Sequence, residues 1–454
     1  MGSAPPGGTA LSRQLARGSI VAFGTYVGAA GLTYGSQLLL ARAMGADGFG
    51  IYAYAFAWIT MLAYLAVLGF DVSLLRFIPA YQAHGDWSLL RGVVRYAERW
   101  AAVVGLAVAL AGVAVVKLWV SARSPDLANT FLAGFLLVPV LALLWIRSAV
   151  VRAFGGVVSS LAPDRIVRDG LLLGLTGLAA FGLGWRIDAP TAMLLTLLGA
   201  LAGLGLVSLA RRRWMPQAVF AAPPASAGRI WAGAALPLVV IGVAGVAVNR
   251  TGVVLLGWAG QTTDAGIYAM AFNVAFLVVL PRTAINALFA PAIARLFAQK
   301  DMAAFQALAT RTSVWTLLSA VGIALPLALF AEPLMGWFGP GFSTGVPALR
   351  LLLFGQVVAA GAGSQLFLLT MTGHERSAAV LMLLNAVGNA ALCAVLVHFF
   401  GLTGAAVGAT VTLVLWNAAM ALLIRRLLRV VPSALPAFRL PLFGKARAAR
   451  IRPV

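Results

Sequence analysis

The chain has 454 residues, 62% of them hydrophobic and only 10% charged, with a formal net charge of +21. A soluble globular domain carries about 25% charged residues, so this composition excludes one: a surface so poor in charge has to face lipid. The positive excess is not a single patch but short arginine clusters between apolar runs, which excludes a nucleic-acid-binding face and fits the loops of a membrane protein.

A membrane-spanning helix needs about 20 apolar residues. Read in chain order at that length, the sequence predicts an all-α polytopic membrane protein of about twelve helices, over 19–41, 49–70, 99–120, 128–150, 167–185, 190–210, 231–257, 265–289, 313–331, 346–372, 377–398 and 402–424. Before them, Met1 to Ala10 lacks the basic start of a cleavable signal, so the first helix is expected to act as an uncleaved insertion signal. With the N-terminus inside, 26 of the 33 Lys and Arg residues fall on inside segments and 4 outside. That bias puts both termini in the cytoplasm and requires an even number of helices. Arg250, Arg282 and Arg350 remain within helices.

The links 71–98 and 290–312 read as amphipathic surface segments. The link 211–230, from Arg211 through Pro223 and Pro224 to Arg229, is a polar break. It divides the chain into a six-helix lobe (1–210), a cytoplasmic linker (211–230), a second six-helix lobe (231–424) and a basic tail (425–454), whose cations suit anionic membrane lipids. The lobes look related. Gly50-Ile51-Tyr52-Ala53-Tyr54-Ala55-Phe56 opens the second helix and Gly266-Ile267-Tyr268-Ala269-Met270-Ala271-Phe272 the eighth. Two parallel repeats imply a pseudo-two-fold axis along the membrane normal.

Chemistry-bearing residues are few. Cys393 is the only cysteine, and His84, His374 and His398 make no ligand pair at helical spacing, so neither a metal nor a cofactor is expected. By these spans every Asp and Glu falls in a loop or near a helix end. A proton- or sodium-coupled transporter usually keeps a buried carboxylate, so the pattern speaks against cation antiport.

Several stretches resemble bacterial polysaccharide (Wzx-type) flippases. They include Leu38-Leu39-Leu40-Ala41-Arg42-Ala43-Met44-Gly45, Gly69-Phe70 leading to Leu74-Leu75-Arg76-Phe77-Ile78-Pro79, Asn249-Arg250, Ala290-Pro291-Ala292-Ile293-Ala294, Phe338-Gly339-Pro340-Gly341-Phe342 and Gly401-Leu402-Thr403-Gly404. The resemblance implies the multidrug/oligosaccharidyl-lipid/polysaccharide exporter superfamily: two six-helix lobes around a central cavity, moving lipid-linked oligosaccharides across the bacterial cytoplasmic (inner) membrane by alternating access, in concert with polysaccharide polymerase and assembly proteins. Where that family often has Asp before the arginine of helix seven, this chain has Asn249, so no role of that acid carries over.

A polyprenyl-diphosphate oligosaccharide has an apolar tail and an anionic, heavily hydroxylated head. Each unpaired polar group buried in hydrocarbon costs roughly 2–7 kcal/mol, so a catalyst needs a polar, cationic cavity. Arg250 is the foremost candidate, because guanidinium pairs with diphosphate in bidentate fashion; snorkelling to headgroups is its alternative role. Arg282 and Asn286 share a helix face at i, i+4, with substrate contact and interfacial snorkelling both open. Tyr26, Thr33 and Gln37 form a polar stripe at i, i+7 and i+11 that either lines the cavity or bonds to other helices. Asn249 and Asn273 are further candidates, and Arg76 could meet substrate at the cytoplasmic mouth or serve topology alone. Readings from other classes are a multidrug antiporter of the same superfamily, a membrane-embedded glycosyltransferase or ligase, and a non-transporting assembly partner. The second wants acidic catalytic groups and a sizeable outside loop, neither of which is present, so no enzyme is expected.

Overall fold

The structure is a computed structural model that describes residues 8–120, 124–283, 301–372 and 374–434, with isolated positions between 284 and 300. The basic tail beyond 434 and candidate Asn286 lie outside the described residues, as does the side chain of Tyr26. The helices are α1 (Gly8–Val67), α2 (Phe70–His84), α3 (Trp87–Val115), α4 (Pro125–Phe135), α5 (Leu137–Ala153), α6 (Val157–Ala162), α7 (Arg168–Gly177), α8 (Ala189–Trp214), α9 (Gln217–Ala221), α10 (Gly228–Trp258), α11 (Thr262–Phe276), α12 (Met302–Leu329), α13 (Ala331–Gly336), α14 (Val346–Gly361), α15 (Gln365–Met371) and α16 (Glu375–Leu428). π-helical turns extend α3 to Val120, join α6 to α7 through Pro163–Val167, and follow α7 over Leu178–Gly182.

Among the described residues nine stretches are long and apolar enough to cross a membrane, and two of them, Gly28–His84 and Arg376–Leu428, have 57 and 53 residues. At 1.5 Å per residue a straight helix of that length would run ~80 Å, against a hydrocarbon core of about 30 Å. Each therefore turns back, at Gly45 (φ 71) and Gly401 (φ 52), where the backbone takes a left-handed conformation that glycine adopts without strain. Behind the second turn, Gly408 packs on Cys393 and Gly404 on Leu396, as in a closed hairpin. The sequence read each of these as two helices, and each turn falls within a few residues of the expected boundary. The fifth predicted helix differs more. It begins not at 167 but near Val157, because the π turn carries the chain helically through Pro163.

The turns at Gly45, Gly260 and Gly401 gather at one end of the bundle, called here the turn end: Gly401 lies against Gln261 and Asp264, and Gly50 against Thr262. At that end the related stretches of the two halves meet face to face. The Gly266 Cβ position is 2.7 Å from Gly50 Cα, Thr263 Oγ1 donates to Asp47 Oδ1 at 2.5 Å, and Arg42 Nε donates to the Trp337 carbonyl at 2.6 Å. Gly50 and Gly266 hold the same place in the repeat, as do Asp47 and Thr263. Contacts between equivalent residues mark a two-fold axis, here a pseudo-axis relating two lobes.

This close approach has a testable consequence. A methyl group at Gly266 would sit on the Gly50 backbone, which cannot rotate away as a side chain would. Gly266→Ala should spread the lobes at the turn end and raise labelling of an Asp47→Cys reporter by a membrane-impermeant maleimide several-fold. Unchanged labelling would show that the two backbones separate without consequence.

Candidate functional site

The core of the site comes from a segment that reads as a loop margin. The Pro163–Val167 π turn and the start of α7 carry Asp164, Arg165, Arg168 and Asp169 in six residues. Arg168 is 8% exposed and Asp169 4%. Arg168 Nη1 lies 2.7 Å from Asp164 Oδ1 and its Nε 2.9 Å from Asp169 Oδ1. The second oxygen of Asp169 accepts a hydrogen bond from Thr33 Oγ1 of α1. Arg165 is half exposed, 3.5 Å from Asp164.

Packing sets the depth. The Arg168 carbonyl abuts Gly199, which lies about 10 residues, or ~15 Å, from the turn end of α8 and ~22 Å from its far end. Gly35 and Gly170 meet Leu173 and Leu32, so α7 runs alongside the first limb of α1, and the absence of side chains at such positions lets the helices approach closely. The cluster thus sits near mid-membrane, where an ionisable group is costly unless paired or hydrated. Pairing answers that cost for Arg168 and both aspartates.

Arg250, on α10 of the other half, lies at a similar depth. It sits eight residues before the end of α10 at Trp258, ~12 Å below the turn end. It is partly buried, makes no ion pair among the described residues, and lies within electrostatic reach of Arg165, Arg168 and Tyr52. Tyr52 is buried, with its hydroxyl 3.1 Å from Thr196 Oγ1. Three arginines against two aspartates leave a net positive charge at mid-depth, shared by both halves.

The other candidates divide. Tyr34, beside the polar stripe, donates to the backbone carbonyl of Asn273 and so ties the halves at this level. Gln37 and the Asn273 side chain are partly buried on the same two helices with no side-chain hydrogen bond among the described residues. Thr33 donates an interhelical hydrogen bond to Asp169. Asn249 is exposed, one residue from the Val248 carbonyl that accepts from Asn389 Nδ2 at 3.4 Å. Arg76 is exposed on α2, and Arg282 is partly buried, apart from the cluster. One expectation is overturned. A buried carboxylate is present in mid-helix, so the argument from missing acids against ion coupling falls. The predicted helix starts at 167, so Arg168 and Asp169 fall at its margin and Asp164 and Arg165 outside it, because Pro163 and four charges precede the apolar run. The i, i+4 pair Asp164–Arg168 signals a helix instead.

Comparison with known proteins bears on the fold. A family model described as a polysaccharide biosynthesis protein matches residues 15–163. No curated protein matches the chain. Among solved structures, the inward-facing conformation of a multidrug resistance MATE family transporter of the MOP superfamily is similar at TM-score 0.69 and 13% identity, over 88% of this chain and 93% of that one. An outward-facing conformation of such a transporter gives TM-score 0.67 and 14% identity, over 91% and 94%. A mutant of the Vibrio cholerae MATE transporter VcmN gives 0.61 and 15%, over 90% and 98%. The chain is a multi-pass membrane protein with the two-lobe fold of the MATE transporters it is similar to, and its first third is similar in sequence to the polysaccharide biosynthesis family.

Proposed function

We propose that this protein is a flippase that carries polyprenyl-diphosphate-linked oligosaccharide repeat units across the bacterial cytoplasmic membrane for cell-surface polysaccharide synthesis. The reading rests on Arg250 at mid-depth, which makes no ion pair among the described residues and lies within electrostatic reach of Arg165 and Arg168 of the other lobe. A cation without a counter-ion in that position suits a ligand that brings its own negative charge, and a diphosphate offers oxygens to two guanidinium groups at once. The family match over residues 15–163 supports the polysaccharide pathway. Alternating access would use the two lobes, with the contact at Gly50 and Gly266 as the gate on the periplasmic side and both termini in the cytoplasm. The lobe boundaries are those of the sequence reading, with residues 211–230 as the linker. Gln37, Asn273 and Asn249 would offer hydrogen bonds to sugar hydroxyls, with Arg282 and Arg76 on the cytoplasmic approach.

Deleting the gene tests this reading. Lipid-linked repeat units should accumulate on the cytoplasmic leaflet; normal outward display of the polymer would contradict it. A second reading, ion-coupled multidrug export, is favoured by one observation, the buried Asp169 joined to Thr33. Under that reading the deletion would sensitise cells to cationic drugs and leave the polymer intact.

A further inference from the structure

Each lobe ends in a helix with arginines in its last turn, α8 with Arg211, Arg212 and Arg213 and α16 with Arg425 and Arg426. Beyond each helix the chain passes through a proline. Pro216 and Pro432 stand 216 residues apart, as do Asp47 and Thr263. A helix end leaves carbonyls without partners, and the segment after it needs hydrogen bonds of its own. In both lobes the third membrane-crossing helix supplies them. These helices, α3 and α12, start alike, with Asp86 (φ −79, ψ 61) and Asp301 (φ −81, ψ 79) at the N-cap. The fifth residue of α3 is Arg91 and that of α12 is Gln306. Arg91 Nη1 donates to the Phe220 and Ala222 carbonyls at 2.7 and 2.6 Å. Gln306 takes both backbone groups of Val431: its Nε2 donates to the carbonyl at 2.9 Å, and its Oε1 accepts from the amide at 2.7 Å.

Around each clip the segment is packed down. In the first lobe the Ala225 amide donates to the Ser88 carbonyl at 3.0 Å, and a Cβ at Gly92 would lie 1.8 Å from the Ala225 carbonyl oxygen. Val219 is buried, and Trp231 at the start of α10 donates its indole N–H to the Tyr81 hydroxyl of α2 at 2.9 Å. In the second lobe the Ala434 amide donates to the Gly361 carbonyl at 2.9 Å, and Val430 and Ala434 are buried. Undocked, residues 215–227 could span about 45 Å. Docked, they follow the surface of the first lobe, and the chain departs from that lobe only within α10.

The geometry points to a latch repeated in the two lobes: Arg91 and Gln306 each fasten the segment that follows the last helix of their own lobe, so that the linker is a docked part of the first lobe rather than a free tether. This inference does not depend on the flippase reading. The test is labelling of the detergent-purified, full-length protein with a membrane-impermeant maleimide at Val219→Cys or Val430→Cys. The native Cys393 is buried, so the parent protein supplies the blank. Both reporters should be masked in an otherwise wild-type chain. Arg91→Leu should raise labelling of Val219→Cys about ten-fold through local opening and leave Val430→Cys masked, and Gln306→Leu should do the reverse. Gly92→Ala keeps Arg91 but sets a methyl group on the Ala225 carbonyl, and should also unmask Val219→Cys alone. Reporters that stay masked in these variants would overturn the proposal, because burial alone would then hold the segments. Both reporters unmasked by each of the three substitutions would overturn it as well, because the segments would then not be fastened lobe by lobe.

Discussion

Replacing Arg250 with glutamine should abolish most transport while leaving the protein as stable as wild type. The two halves of that statement have separate causes. Arg250 has no ion-pair partner among the described residues, so its removal orphans no acid. An arginine at mid-membrane costs about 2.5–3.5 kcal/mol on insertion scales, so glutamine there should hold or raise the melting temperature. A hydrogen bond to a charged group contributes about 1.5–3 kcal/mol, and Arg250 would offer two to a diphosphate. Transport should fall about 100-fold or more, at ~1.4 kcal/mol per factor of ten. Arg250→Lys keeps the charge but loses the bidentate geometry, and should fall between the two. The measurement is initial flipping rate per folded protein, with thermal stability measured in parallel. A drop in both together would mean that Arg250 is structural.

Arg168→Gln should show the opposite pattern. Arg168 is buried between Asp164 and Asp169, and its loss strands two carboxylates at mid-depth. Breaking a buried pair by removing one partner costs about 3–5 kcal/mol. Folded yield in the membrane should collapse, and any purified protein should melt well below wild type. Replacing the whole trio with apolar residues (Asp164→Leu, Arg168→Met, Asp169→Leu) should recover much of the yield, because buried ion clusters often contribute little beyond their own desolvation. That triple variant should still fail to transport, since Arg250 would then face no partner lobe of matching polarity. Full transport by the triple variant would remove the cluster from the mechanism.

The comparison of these two arginines shows what the sequence makes legible. Arg250 stands alone in an apolar run, and any scan for intramembrane charge finds it. Arg168 and Asp169 escape such a scan because their charges cancel. A neutralised pair can enter the membrane with a helix, while a window that counts charges pushes it to the helix end. The i, i+4 spacing of Asp164 and Arg168 was the available signal. The related stretches beginning at Gly50 and Gly266 were legible as repeats, but not their meeting across the pseudo-axis. That contact depends on how two lobes pack, which no local pattern encodes. The same holds for Thr33, whose polar stripe left open whether it would meet a substrate or another helix. The turn positions at Gly45 and Gly401 were readable from length alone, since a stretch of 57 or 53 residues cannot cross a bilayer once.

The most direct measurement is outward movement of a fluorescent polyprenyl-diphosphate oligosaccharide in proteoliposomes containing the purified protein. Wild type should expose the headgroup to an impermeant quencher at a rate far above that of protein-free vesicles, and Arg250→Gln should bring the rate close to theirs. A wild-type rate equal to that of empty vesicles, or an undiminished rate in Arg250→Gln, would contradict the assignment of this cationic centre to lipid-linked diphosphate.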